Sequence, residues 1–173
     1  MRLTVEEKPA GNYAKTVAAK GGRAGLPLPL DDRLTDRLGA VLRVRGRAAD
    51  ELSLARTDRG TLAASLLRSL ADKSDGERLL APADVYRVVP RRTWIRRKAE
   101  GGLTGAEFDG LYRLVRLQLL AELVFQDQQR AREWLHSPKA RLGDVAPMDF
   151  AADSLGYEAV ESWLHEIDQG YFA

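Results

Sequence analysis

Residues 103–125 read LTGAEFDGLYRLVRLQLLAELVF, and the reading of this stretch decides the fold. Thr104 is followed three residues later by Glu107, the spacing of a capping box: the threonine oxygen accepts the Glu107 N–H while the glutamate reaches back to the Thr104 N–H. Behind that start, Phe108, Leu111, Tyr112, Leu114, Val115, Leu117, Leu119, Leu120, Leu123 and Val124 recur at helical spacing over most of the circumference. A helix so apolar all round is either central to its domain or shared with another subunit. No segment elsewhere alternates with period two, and no internal repeat is present, so the expected fold class is all-α.

On the N-terminal side the punctuation continues to be helical. Leu34, Leu38, Val41 and Leu42 mark a first helix with Asp31 or Asp32 as N-cap, and a second is expected around 50–55. A third carries Leu62, Leu66, Leu67 and Leu70, opened by Gly60 or Thr61, and DKSDGE (72–77) reads as a turn. Pro82 suits the first turn of a short helix bearing Val85 and Tyr86, and Pro90 stops it. The next helix starts at Arg91 or Arg92 and ends at Gly101-Gly102, with Trp94 and Ile95 expected to face inward. Helix, short turn, helix is the outline of a helix-turn-helix. Residues 1–30 end in KGGRAGLPLPL, which opposes regular structure and reads as an N-terminal arm.

Toward the C-terminus one helix is expected from Asp127 to about Leu135, another from near Pro147 to Gly156, and a last one with Tyr157, Val160, Leu164 and Ile167 on one face. Gly170 should cap the last helix. Trp134, Leu135 and Pro138 close the first of these helices, Gly143 and Pro147 redirect the chain, and Gly156 turns it again. The expected organisation is an arm (1–30), a helix-turn-helix-like domain (31–102) and a small helical domain (103–173).

The chemistry of the chain narrows the function classes. Its 173 residues include no cysteine, which excludes disulfides and thiolate chemistry. The start MRLTVEEKPAGNYAK lacks a secretory h-region, and no apolar run reaches membrane-spanning length, so a soluble cytoplasmic protein is expected. Only two histidines occur, His136 and His165, neither at motif spacing to a second ligand, so no metal is expected; helix C-terminal capping suits His136. No phosphate loop and no nucleophile motif appears, which argues against an enzyme and against a bound cofactor.

Charge is segregated. Residues 1–100 hold 21 Lys and Arg against 13 Asp and Glu, whereas 101–173 hold 6 against 12. After Arg141 there is no Lys or Arg, only Asp144, Asp149, Asp153, Glu158, Glu161, Glu166 and Asp168. Such polarity suggests two partners of opposite charge, with solvated helix faces as the plain alternative. Between Arg87 and Lys98 six basic residues (Arg87, Arg91, Arg92, Arg96, Arg97 and Lys98) stand without an acid. A basic helix after a helix-turn can enter a major groove about 12 Å wide and contact phosphates or guanine edges. Tyr171 and Phe172 form an apolar chain end, suited to interface anchoring or to packing back on the last helix.

Residues 84–173, about half the chain, resemble the Xre/MbcA/ParS antitoxins, the partners of RES-domain toxins. The resemblance rests on Arg92-Thr93 and Arg96-Arg97, then Leu103-Thr104, Asp109 and Arg113, then Ala131, Trp134, Leu135 and Pro138. Leu142-Gly143, Pro147-Met148, Gly156, Val160, Leu164 and Gly170 complete the ordered set. Asp144 stands where a second glycine is common, Tyr157 replaces a small residue, and 1–60 lie outside the resemblance. The resemblance implies a type II antitoxin that covers the active site of an NAD-consuming or ADP-ribosylating RES toxin. It adds Thr93 to the DNA-facing set and places toxin contact at Trp163, Glu166, Gly170, Tyr171, Phe172 and Ala173. It also implies operator binding by a homodimer. The alternative is a stand-alone helix-turn-helix regulator whose C-terminal half dimerises or senses a ligand.

Overall fold

Leu111, Leu117 and Leu120 are completely buried, and they lie on a 21-residue helix against which most of the others pack. The computed structural model describes residues 28–44, 56–71 and 78–171. In chain order the helices are α1 (Leu30–Val41), α2 (Arg59–Ala71), α3 (Pro82–Val88), α4 (Arg91–Glu100), α5 (Gly105–Phe125), α6 (Gln128–His136), a 3-10 turn (Ala140–Leu142), α7 (Pro147–Phe150) and α8 (Ser154–Asp168). Among the described residues no strand forms, only an isolated bridge between Lys139 and Val145. The fold class is all-α, as the periodicity predicts.

α5 is the central helix. It contacts α1, α2 and α3 on one side of the sequence and α6 and α8 on the other. Its start has the expected capping box: Thr104 Oγ1 accepts the Glu107 N–H at 3.3 Å, and Glu107 Oε2 accepts the Thr104 N–H at 2.7 Å. Each fully buried leucine contributes roughly 2–3 kcal/mol of transfer free energy, so the ten or so large apolar groups of α5 dominate the fold.

Polar groups buried by this packing are paired. Gln118 is 1% exposed, and its Nε2 donates to Glu122 Oε1 at 3.0 Å, while Arg37 of α1 donates to Glu122 Oε2 at 3.1 Å. Arg116 Nε and the Tyr157 hydroxyl both donate to Glu161 Oε1 at 2.8 Å, which ties α8 to α5. Burial raises the Tyr157 hydroxyl pKa well above its ordinary range, and the Glu161 carboxylate raises it further.

Four local expectations are corrected. α1 begins at Leu30 behind Pro29, so Asp31 and Asp32 are not N-caps; they lie in the first turn, where carboxylates complement the helix dipole. α2 starts before Gly60 and Thr61, because the Asp58 carboxylate accepts the Thr61 N–H at 2.9 Å and its hydroxyl at 3.2 Å. Ile95 is 58% exposed although Trp94 is 6% exposed. Neighbours on a helix point about 100° apart, and the single inward direction of α4 is taken by the larger ring. Gly156 does not end a helix: α7 is a four-residue turn, and Gly156 lies in the first turn of α8, donating its N–H to the Asp153 cap at 2.8 Å. A Cβ at Gly156 would collide with the carbonyl oxygen of Phe150, so the glycine is there for close approach of α7 and α8. The helix expected at 50–55, the turn at 72–77 and nearly all of the N-terminal arm lie outside the described residues.

Candidate functional site

α3 and α4 are joined through Val89 and Pro90. Val89 is extended, as the residue before proline must be, and is completely buried, so the turn is fixed by sterics and packing together. Trp94 and Val85 anchor the two helices, and α4 also rests on α2. The six basic residues then divide. Arg87 pairs with Asp149 of α7. Arg97 donates to Glu107 at 2.8 Å and to Glu100 at 3.0 Å, with its side chain only 18% exposed. Partial burial pushes the Glu107 carboxyl pKa up, but the Thr104 N–H and the Arg97 guanidinium hold it below the usual range. Arg96 reaches Glu100 at 3.6 Å, a loose surface pair. Arg91, Arg92 and Lys98 are exposed and have no carboxylate partner among the described residues, while Thr93 is half-buried. The outward face of α4 is thus Arg91, Arg92, Ile95, Arg96, Lys98 and Ala99, with Glu100 exposed at its C-terminal end.

At the other end, the expected contact residues divide in a similar way. Trp163 is 9% exposed, packed edge-on against Trp134 at 5.0 Å, and Trp134 in turn meets Phe125 at 5.6 Å. The Arg141 guanidinium lies 5.0 Å over the Trp163 ring and donates to both Glu166 oxygens at 2.6 and 3.2 Å. That bond holds the Glu166 carboxyl below its ordinary pKa. Trp163 and Glu166 therefore clamp the turn at 139–145 onto α8. In that turn Gly143 and Asp144 both take left-handed backbone, φ 65° and 63°, which explains why glycine suits both places; aspartate tolerates it better than most residues. Leu135 is fully buried, and Pro138 and Pro147 flank the turn. Gly170 (φ 81°) closes α8: its N–H donates to the Ile167 carbonyl at 3.0 Å, and the Tyr171 N–H donates to the Glu166 carbonyl at 2.9 Å. Tyr171 is 66% exposed; Phe172 and Ala173 lie outside the described residues.

Two features escape sequence reasoning. Val145, Phe150 and Leu155, the last 79% exposed, line a shallow hollow of about 510 Å³ with Ala152 and Ala159. Asp144, Asp149, Asp153 and Glu158 surround these apolar groups in the chain and are all exposed. The available signal was that Leu155 falls off the buried stripe of α8 and that it, Val145 and Phe150 recur among acids. The second feature is His136. Its Nδ1 lies 2.8 Å from the Arg132 carbonyl, the helix-end role expected. Its Nε2 lies 3.0 Å from Asp84, 52 residues away and 1% exposed. Both ring nitrogens face acceptors, so both must donate and the imidazolium is the form that fits. The Asp84 bond raises the His136 pKa above its ordinary value.

A cleft of about 490 Å³ between α3, α5 and α7 is lined by Val88, Gly110, Leu114 and Met148 and bordered by Arg87, Arg113 and Asp149. Among the described residues no group of three or more His, Asp or Glu is placed to hold a metal ion, and no helix is long and apolar enough to cross a membrane.

The geometry is that of a helical binding protein: a basic helix outward at one place, an acid-edged apolar surface and chain end at another. Comparison with known proteins gives that class its content. Residues 120–170 match the family described as the Antitoxin Xre/MbcA/ParS C-terminal toxin-binding domain. The matched segment begins within α5 and ends at Gly170. A curated relative, the Antitoxin Xre of Pseudomonas putida, is 32% identical over 137 residues, covering 78% of this chain and 82% of the relative. The chain belongs to the Xre antitoxin family, the antitoxin side of a toxin–antitoxin system.

Proposed function

We propose that this antitoxin neutralises a RES-domain toxin, an NAD-consuming or ADP-ribosylating enzyme, by seating its C-terminal end over the toxin's active site. The observation that carries this reading is the acidic end without a single Lys or Arg after Arg141, combined with exposed Leu155, Phe150 and Tyr171. A cleft that binds NAD must accommodate phosphates and is basic; an acidic end approaches it quickly, and the apolar groups supply affinity once docked. Trp163, Glu166 and Gly170 act here by shaping α8 and its end, and 171–173 by entering the partner. The chain's own residues supply no chemistry to this function; they obstruct another protein's.

The exposed face of α4 binds the operator of the same operon, with Arg91, Arg92, Arg96 and Lys98 outward and Arg87, Thr93 and Arg97 setting the helix. Two copies bind a palindromic site as a homodimer. In this organisation 31–102 is the DNA-binding half and 103–173 the toxin-binding half, and DNA as partner puts the protein in the cytoplasm.

Co-expression with the RES protein of the same operon tests the first part. The intact chain restores growth. Deleting 171–173, or replacing Leu155→Asp, weakens toxin capture at least tenfold, equivalent to about 1.4 kcal/mol, while operator binding persists. A toxin that stays lethal beside the intact chain removes this reading and leaves the stand-alone regulator.

A further inference from the structure

Ile95 is an anomaly. It is 58% exposed on a helix whose other outward residues are cations, Ala99 and, at the C-terminal end, Glu100, and no described residue covers it. Its place on that helix is specific. At about 100° per residue, Ile95, Ala99 and Arg92 fall along the centre of the outward face; Arg91 and Lys98 flank them on one side and Arg96 on the other. Trp94 and the Arg97–Glu107 pair hold the opposite face, so α4 cannot roll to hide the isoleucine. Cations on both edges, with uncharged Ile95 and Ala99 beside Arg92 at the centre, form a profile that suits a groove: the edges meet the two phosphate backbones and the centre meets the base edges. In the major groove the apolar group on a base edge is the C5 methyl of thymine.

On the reading of α4 as the DNA-facing helix, we infer that Ile95 is a specificity-determining residue that reads a pyrimidine 5-methyl group in the major groove. Arg92, one turn away on the same central stripe, contacts the neighbouring base pair. The operator therefore carries a thymine at the position Ile95 meets, once in each half-site. A cation there would add affinity for any sequence; an isoleucine adds affinity only where a methyl stands.

The test uses the full chain and a fragment of the DNA upstream of its own gene, amplified with either dTTP or dUTP, so that the second fragment lacks every thymine methyl. Binding is measured by fluorescence anisotropy at fixed salt for the wild type and for Ile95→Ala, with a thermal unfolding curve to verify that the variant is folded. The wild type is expected to bind the uracil fragment about fourfold more weakly per lost methyl contact, hence about tenfold or more for two half-sites. Ile95→Ala is expected to bind the thymine fragment correspondingly more weakly and to treat both fragments alike. Equal wild-type affinity for the two fragments overturns the role of Ile95 while leaving DNA binding intact. Undiminished discrimination by Ile95→Ala assigns the methyl contact elsewhere and overturns it as well. Failure of the wild type to bind either fragment overturns the DNA-facing reading of α4, and this inference with it.

Discussion

His136 is held by two acceptors at once, and the consequence is a pH dependence of known sign. Its folded pKa is raised by the Asp84 carboxylate and the Arg132 carbonyl, against the opposing pull of partial burial and, less, of Arg87. The stabilisation is complete below the ordinary histidine value of about 6.5 and is lost as pH rises through the higher folded value. His136→Ala should lower stability by about 2 kcal/mol at pH 6, because it leaves a buried carboxylate unpaired. The gap between variant and wild type should narrow toward pH 9 in thermal melts; a constant gap would mean that packing, not charge, accounts for it. Gly156 offers a second test at this scale. Gly156→Ala drives a methyl into the Phe150 carbonyl and should cost roughly 3 kcal/mol in a denaturant titration, since the obstacle is backbone and cannot rotate away.

At the scale of elements, the same kind of residue has two roles on one helix. Arg97 is enclosed by Glu107 and Glu100, whereas Arg92 faces outward. Arg97→Ala should lower the melting temperature; Arg92→Ala and Arg96→Ala should leave it in place. On the DNA reading the latter two should flatten the salt dependence of operator binding by about one unit of slope per phosphate contact removed. Equal effects of all three on the melting temperature would count against the division. This division was only half legible in the sequence. The boundaries of α4, the capping box of α5 and the cap of α6 at Asp127 follow from local chemistry, and local chemistry is written in order along the chain. Which arginine is enclosed depends on Glu107 arriving from the next helix, and which of Trp94 and Ile95 turns inward depends on α2. Gly156 misled for a related reason: glycine as a helix end and glycine as a point of close approach look identical until the neighbouring carbonyl is in view. The acid-edged hollow, likewise, assembles residues from a turn, a four-residue helix and the start of α8.

At the scale of the whole molecule, the boundary expected near residue 102 falls between helices that are tied together. Glu107 of α5 binds Arg97 of α4, Asp84 of α3 binds His136 of α6, and Arg87 of α3 binds Asp149 of α7. Gly110 lets α5 approach Val88 of α3 closely. A fragment of residues 103–173 should accordingly lack a cooperative melt, because removing α1, α2 and α3 uncovers one side of α5. A sharp transition in the isolated fragment would show that the C-terminal half folds alone.

α5, buried against helices from both sides of the sequence, has a kinetic meaning as well. Backbone amides in its middle exchange only when the helix opens, and opening it strips the support from α3 and α8 together. Amide exchange across α5 should therefore report one common opening free energy rather than a gradient from end to end. On this expectation the basic face of α4 and the acid-edged surface around α8 would lapse in the same event and return with a single closing of the helix.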